Sequence, residues 1–207
     1  MLRKILLGIA TFVFAFAVLS VSVFRSSAVN FAFATPSPTN VLAAEIPEVD
    51  YQFPYPGRVS PDDILWSFKA MRDRIWYLVT QNPGKRAELA LLFSDKRLIL
   101  AKGLFEIKKP DIGLSTLAKG EKYLELAVNQ EKIARDGGAD TSEFLVNLAT
   151  ASLKHRQVIE ELLVLAPEDA KPEIIKIGDY SKNAYKASRD ALNSKGMTAP
   201  KDPFDGD

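Results

Sequence analysis

Tyr55–Tyr77, YPGRVSPDDILWSFKAMRDRIWY, is where a proline-rich, extended chain gives way to helix. Ser60 is a good N-cap, and Pro61 suits the first helical position because its missing N–H would have no partner there. Asp63 stands where a capping-box acid would sit, with Asp62 adding negative charge at the positive end of the helix dipole. A first helix is therefore predicted from Pro61 to about Thr80. Ile64, Phe68, Met71, Ile75 and Leu78 recur at alternating steps of four and three, widened by Leu65 and Val79, which is the pattern of a stripe turned to a core. Trp66, Ala70 and Tyr77 lie on the other side, so a second partner is expected there. Trp66, Tyr77, Arg72 and Trp76 form a candidate interaction surface. Arg72 and Trp76 are four apart, which lets a guanidinium stack on the indole as a structural lock.

Upstream, Thr35–Gly57 carries prolines at 36, 38, 47, 54 and 56, a density that opposes helix and sheet and favours a semi-extended linker. Tyr51, Phe53 and Tyr55 are too aromatic for a pure spacer. Tyr51–Pro56 is expected to lie against the helical domain and to meet the Trp66 and Tyr77 side of the first helix. Further upstream, Arg3 and Lys4 precede Ile5–Phe24, a charge-free apolar run of about 20 residues, long enough to cross the hydrocarbon core. The positive-inside rule then keeps the N-terminus cytoplasmic and places the rest of the chain outside. Ala32-Phe33-Ala34 resembles a signal cleavage site but lies well past the apolar run. An uncleaved single-pass anchor in the cell membrane is the preferred reading, with a cleaved signal and a secreted domain as the alternative.

Downstream, Asn82 and Pro83 open a second helix to about Lys108, apolar on two sides and so suited to the centre of a bundle. Glu88, Asp95, Lys102 and Glu106 are its polar stripe, and Glu88 and Asp95 read as solvated charges. Pro110–Arg135 is a third helix, stopped by Asp136-Gly137-Gly138. Asp140 caps a fourth, with Glu143 in the capping-box position, up to Ala166. After Pro167 and Pro172 a fifth runs to about Asn193, its inward face small: Ile177, Ser181, Ala184, Ser188 and Ala191. From Gly196 on, with Pro200 and Pro203, a frayed tail is expected. The strict alternation of half-buried strands is missing. The fold class is all-α: about five helices in an antiparallel bundle or elongated hairpins, behind an N-terminal transmembrane or signal helix. The divisions are 1–25 anchor or signal, 26–58 tether, 59–194 helical bundle and 195–207 flexible tail.

The formal charge is +1, with 27 Lys and Arg against 26 Asp and Glu, which gives no electrostatic case for a nucleic-acid partner or for a polybasic membrane-binding surface. There are no cysteines, which excludes disulfides, a thiol nucleophile and thiolate metal sites.

PYPG (54–57), ILWSFKAMRDRIW (64–76), KRAELALLFSDKRL (85–98) and GLSTLAKGEKYLELA (113–127) follow one another along the chain. This succession resembles a family of exported bacterial helical proteins known only as a domain of unknown function, with the likeness extending over about residues 51–193. Ser67 and Phe68 depart mildly from the pattern. The resemblance implies an extracytoplasmic domain behind an N-terminal anchor, and it brings no activity, cofactor or catalytic residues.

Chemistry has few places to reside. His155, the one histidine, falls in the middle of the core face of the fourth helix. It reads as a neutral core histidine hydrogen-bonded to a neighbouring helix, the alternative being a metal ligand or proton-transfer group. A ferritin-like dimetal bundle needs Glu-x-x-His pairs, and Ser152 occupies the place three before His155. No phosphate loop, dinucleotide fingerprint, nucleophile elbow or calcium loop is present. The expected function is a non-enzymatic structural or protein-interaction module of the bacterial envelope, with no cofactor or metal. Its expected partners are the membrane, through the N-terminal helix, and an unidentified envelope protein, with a homo-oligomer left open. An extracytoplasmic ligand- or metal-binding sensor is the alternative.

Overall fold

The computed structural model describes residues 46–205. The anchor or signal segment and the first part of the tether lie outside them. Among the described residues no helix is long and apolar enough to cross a membrane. The helices are α1 (Trp66–Val79), α2 (Pro83–Glu106), α3 (Pro110–Asp136), α4 (Ser142–Leu165) and α5 (Lys171–Ser194), and no strand is found among the described residues.

Two antiparallel hairpins, α2–α3 and α4–α5, make the bundle by packing α3 on α5 and α2 on α4, while α1 lies against α2. The local signals explain most boundaries. Asn82 accepts the Lys85 N–H at 3.0 Å and Pro83 follows, so α2 begins where an orphan donor is satisfied. At its other end Lys108 adopts a left-handed conformation (φ 59°), its N–H donating to the Phe105 carbonyl at 3.0 Å while the Lys109 N–H reaches Leu104 at 2.8 Å. This paired closure turns the chain sharply enough for Pro110 to start α3 at once. The hairpin is tight because Gly120 has no side chain: a Cβ there would stand 3.2 Å from that of Arg97, where Ser94 Oγ donates to the Gly120 carbonyl at 2.8 Å. Gly138, at φ +86°, ends the turn after α3. The small face of α5 is buried as expected, Ile177, Ser181, Ala184, Ser188 and Ala191 all packing inward.

Several local expectations need correction. α1 starts at Trp66, not Pro61; residues 61–65 form turns in which Asp63 N–H bonds to Ser60 and Trp66 N–H to Asp63. Asp62, expected to serve the helix dipole, is drawn away to Lys109 at 2.6 Å, so a tertiary ion pair outcompetes the local cap. Asp140 stands one place before the cap of α4: its carboxylate accepts the Ser142 N–H at 3.1 Å and also pairs with Lys195, while Thr141, at the cap position, gives its hydroxyl to buried Glu131 at 2.6 Å. The chain after α5 is not frayed over residues 199–204. Tyr185 donates to the Pro200 carbonyl at 2.6 Å, and Arg156 pairs with Asp202 at 3.2 Å while its guanidinium covers the Phe204 ring at 4.6 Å.

The largest correction concerns α1. The stripe predicted to face a core is exposed: Ile64 is 89 % accessible and Phe68 67 %, with Leu65, Met71, Ile75, Leu78 and Val79 also open to solvent. The face turned inward is the one with Trp66, Ala70, Asp73 and Tyr77, of which Asp73 and Tyr77 are buried. The reason lies on α2. Arg97 is buried in an aromatic cage, 4.4 Å from the Tyr123 ring, 5.7 Å from Phe93 and 5.9 Å from Trp66, and Arg86 covers Tyr77 at 4.6 Å. Guanidinium groups stacked on aromatic faces, with Asp73 supplying negative charge near Arg97, hold this face of α1 where an aliphatic stripe would take Tyr77 from Arg86 and Trp66 and the Asp73 charge from Arg97.

Candidate functional site

Two places stand out as candidate sites: a sealed polar cluster at the centre of the domain and the outer face of α1. In the cluster, α2 contributes Asp95, α3 Glu121 and α4 His155, and the segment before α1 contributes Tyr51. His155 and Glu121 have no solvent exposure and Asp95 has 2 %. His155 Nδ1 lies 2.6 Å from Glu121 Oε1 and Nε2 lies 3.0 Å from Asp95 Oδ1, while the Tyr51 hydroxyl donates to Asp95 Oδ2 at 2.7 Å. The Phe53 ring closes the side nearest the chain entry, 5.9 Å from the imidazole.

Burial alone would push the His155 pKa down. The Glu121 carboxylate and then Asp95 more than reverse this and raise it to about 9, so His155 is an imidazolium donating from both ring nitrogens, not the neutral imidazole expected. Asp95 is likewise no solvated charge but the centre of this network. Tyr51 is driven strongly upward by its own burial and by Asp95, so it remains a hydroxyl donor. The second half of the histidine reading holds: its partners are side chains of neighbouring helices. Among the described residues no three His, Asp or Glu side chains are placed to hold a metal ion. A charged histidine clamped between two carboxylates is committed at both nitrogens and closed to solvent, so it joins three helices and the entering chain.

The segment before α1 docks as its aromatics suggested, but over α2 and α4 and not on the Trp66 and Tyr77 side of α1. The buried Val49 N–H donates to Gln157 Oε1 at 2.9 Å, and Lys154 Nζ donates to the Val49 carbonyl at 2.9 Å. Its link to α1 is Lys69, whose ammonium donates to the carbonyls of Pro56 and Val59 at 2.7 and 3.0 Å.

Residues 58–169 match the family described as Domain of unknown function (DUF5667). The chain belongs to this family. No curated protein and no solved structure matches it. The DUF5667 match takes in α1 to α4, and with them Asp95, Glu121, His155 and the Arg97 cage. Tyr51, Phe53 and α5 lie outside it, so in this chain the central triad is closed by Tyr51 and Phe53 from beyond the matched residues.

The outer face of α1 is the second place. Of the four residues singled out there from sequence, Tyr77 is buried beneath Arg86, and Trp66 is half-buried between Arg97 and Lys69, whose ammonium sits 5.0 Å from its ring. Trp76 is half-exposed, in an edge-to-face arrangement with Phe93 at 6.1 Å between ring centroids. Arg72 turns to Asp73 at 2.6 Å and keeps a largely exposed side chain. These residues therefore mostly seat α1 on the bundle. What they leave outward is the aliphatic and aromatic stripe from Ile64 to Val79, a contiguous apolar surface of the kind that marks interaction sites on folded domains.

Proposed function

We infer that the chain is a non-enzymatic module held at the outer face of a bacterial cell membrane by its N-terminal apolar run, and that it works by contact through the exposed stripe of α1. One observation carries this reading: α1 spends its polar and aromatic face on the bundle and turns Phe68, Met71, Ile75 and Leu78 to the outside. The exposed apolar side of α1 contributes nothing to packing within the domain, whereas each large side chain of it that a partner covers would contribute on the order of 1.5–3 kcal/mol.

The test uses the full chain in its cell. A benzoylphenylalanine photo-crosslinker in place of Met71 should form adducts with lipid or with an envelope protein, whereas the same group in place of exposed Lys186 on α5 should form few. Protease added to spheroplasts should digest the domain while sparing the first residues. Equal adduct yields at the two positions would overturn the contact surface, and protection of the whole chain would overturn the exported placement.

A further inference from the structure

What covers the stripe is decided by the charges beside it. Ile64, Phe68, Met71, Ile75 and Leu78 have the spacing of a coiled-coil seam, and the positions flanking such a seam are where a second helix would place its salt bridges. Here those positions hold Arg72 on one side and Arg74 on the other, both exposed. The one acid within α1, Asp73, is buried and turned to Arg72. At the N-terminal margin Asp62 is paired with Lys109, and Asp63 closes on the Leu65 amide at 2.7 Å. Two copies packed seam to seam would therefore find no acid opposite their arginines, and like charges facing each other oppose association.

An apolar stripe bordered by guanidinium groups is matched instead by a surface with an apolar interior and an anionic rim. At about 1.5 Å per residue, α1 is roughly 20 Å long, too short to span a hydrocarbon core but suited to lying along its boundary. The chain also brings such a surface near. About 25 residues separate Phe24, the end of the apolar run, from Val49, the first buried side chain among the described residues, and even fully extended a chain of that length reaches no more than roughly 90 Å. A bilayer entered by Ile5–Phe24 would thus meet the domain at an effective concentration in the millimolar range.

We propose that α1 of the folded domain lies in the headgroup region of that same bilayer, with Phe68, Met71 and Ile75 toward the acyl chains and Arg72 and Arg74 among anionic headgroups. This rests on the anchored reading above.

The chain has no cysteine, so single spin labels report single sites. Full-length Met71→Cys, Ile75→Cys, Lys186→Cys and Val13→Cys, labelled and reconstituted into vesicles, would be compared for accessibility to oxygen and to a water-soluble nickel chelate. One set of vesicles is phosphatidylcholine alone and the other also contains phosphatidylglycerol. Labels at 71 and 75 are expected to show a several-fold higher oxygen-to-nickel ratio than the label at 186, more so with phosphatidylglycerol and less in high salt. A water-like ratio at 71 and 75 with a bilayer-like ratio at 13 would overturn the proposal while leaving the anchor standing. A water-like ratio at 13 would overturn the anchored reading and the shared bilayer with it. Dipolar broadening between stripe labels without a bilayer-like ratio would show a second copy as the occupant, and equal ratios in both lipids would overturn the part given to the arginines.

Discussion

Replacing His155 by glutamine is expected to destabilise the domain by on the order of 3–5 kcal/mol, because it removes the cation from between two buried carboxylates and leaves both uncompensated. Glutamine fills a similar volume and keeps a hydrogen-bond donor, so a neutral structural histidine would lose only about 1 kcal/mol on the same change. The pH dependence separates the two cases. The folded-state pKa of His155 is raised to about 9 from an ordinary value of 6.5. Its contribution is therefore complete below about pH 6.5 and is lost as the pH rises through about 9. With about 1.4 kcal/mol for each tenfold gain in proton affinity, the loss is on the order of 3 kcal/mol. Denaturant unfolding of the wild-type chain at intervals from pH 6 to 10 should show this decline, and His155→Gln should flatten it. A wild-type curve that stays level across that range would mean that the imidazole is neutral.

Removing the segment before α1 is expected to have the next largest effect. A chain beginning at Val59 loses the Tyr51 hydroxyl from Asp95, the Val49 clasp of Gln157 and Lys154, and the aromatic cover that Phe53 provides beside His155. A hydrogen bond to a carboxylate contributes about 1.5–3 kcal/mol and burial of Val49 about as much, so this chain should be less stable than one beginning at Ile46 by roughly 3 kcal/mol or more. Loss of Tyr51 and Phe53 also opens the His155 cluster to water. The pH dependence between 6.5 and 9 should weaken along with the stability. Equal melting of the two chains would show that the segment does not support the cluster.

Much of this architecture was legible in the sequence because its causes are local. Asn82-Pro83 starts α2 through one side-chain acceptor and one missing donor, Asp136-Gly137-Gly138 stops α3, and the small residues of α5 mark the face that packs closely. The aromatics of Tyr51–Pro56 pointed to docking, though not to its place. The state of His155 was not legible, since Glu121 and Asp95 lie 34 and 60 residues away and only the folded bundle brings both carboxylates to one ring. The docked tail was hidden for a similar reason: Gly196 and the prolines suggest fraying, while the partners Arg156 and Tyr185 belong to α4 and α5.

The orientation of α1 was misread because two of its faces carry the same spacing. Ile64, Phe68, Met71 and Ile75 advance by four, three and four, and so do Trp66, Ala70, Asp73 and Tyr77. Hydrophobicity favours the first face for the interior. The second is the one buried because it answers Arg97 and Arg86 on α2, two cations that stack on Trp66 and Tyr77. Their presence at 86 and 97 was the available signal, and it acquires meaning only once α1 is laid along α2.

Equilibrium unfolding of the chain carrying Phe68→Ser and Ile75→Ser tests most directly whether α1 turns this stripe outward. With both side chains exposed, the double substitution should change stability by no more than about 0.5 kcal/mol, whereas Tyr77→Ser on the inward face should cost about 2–4 kcal/mol. A loss of several kcal/mol from the stripe, with Tyr77→Ser nearly neutral, would place the stripe in the core and remove the surface through which the domain is held to act.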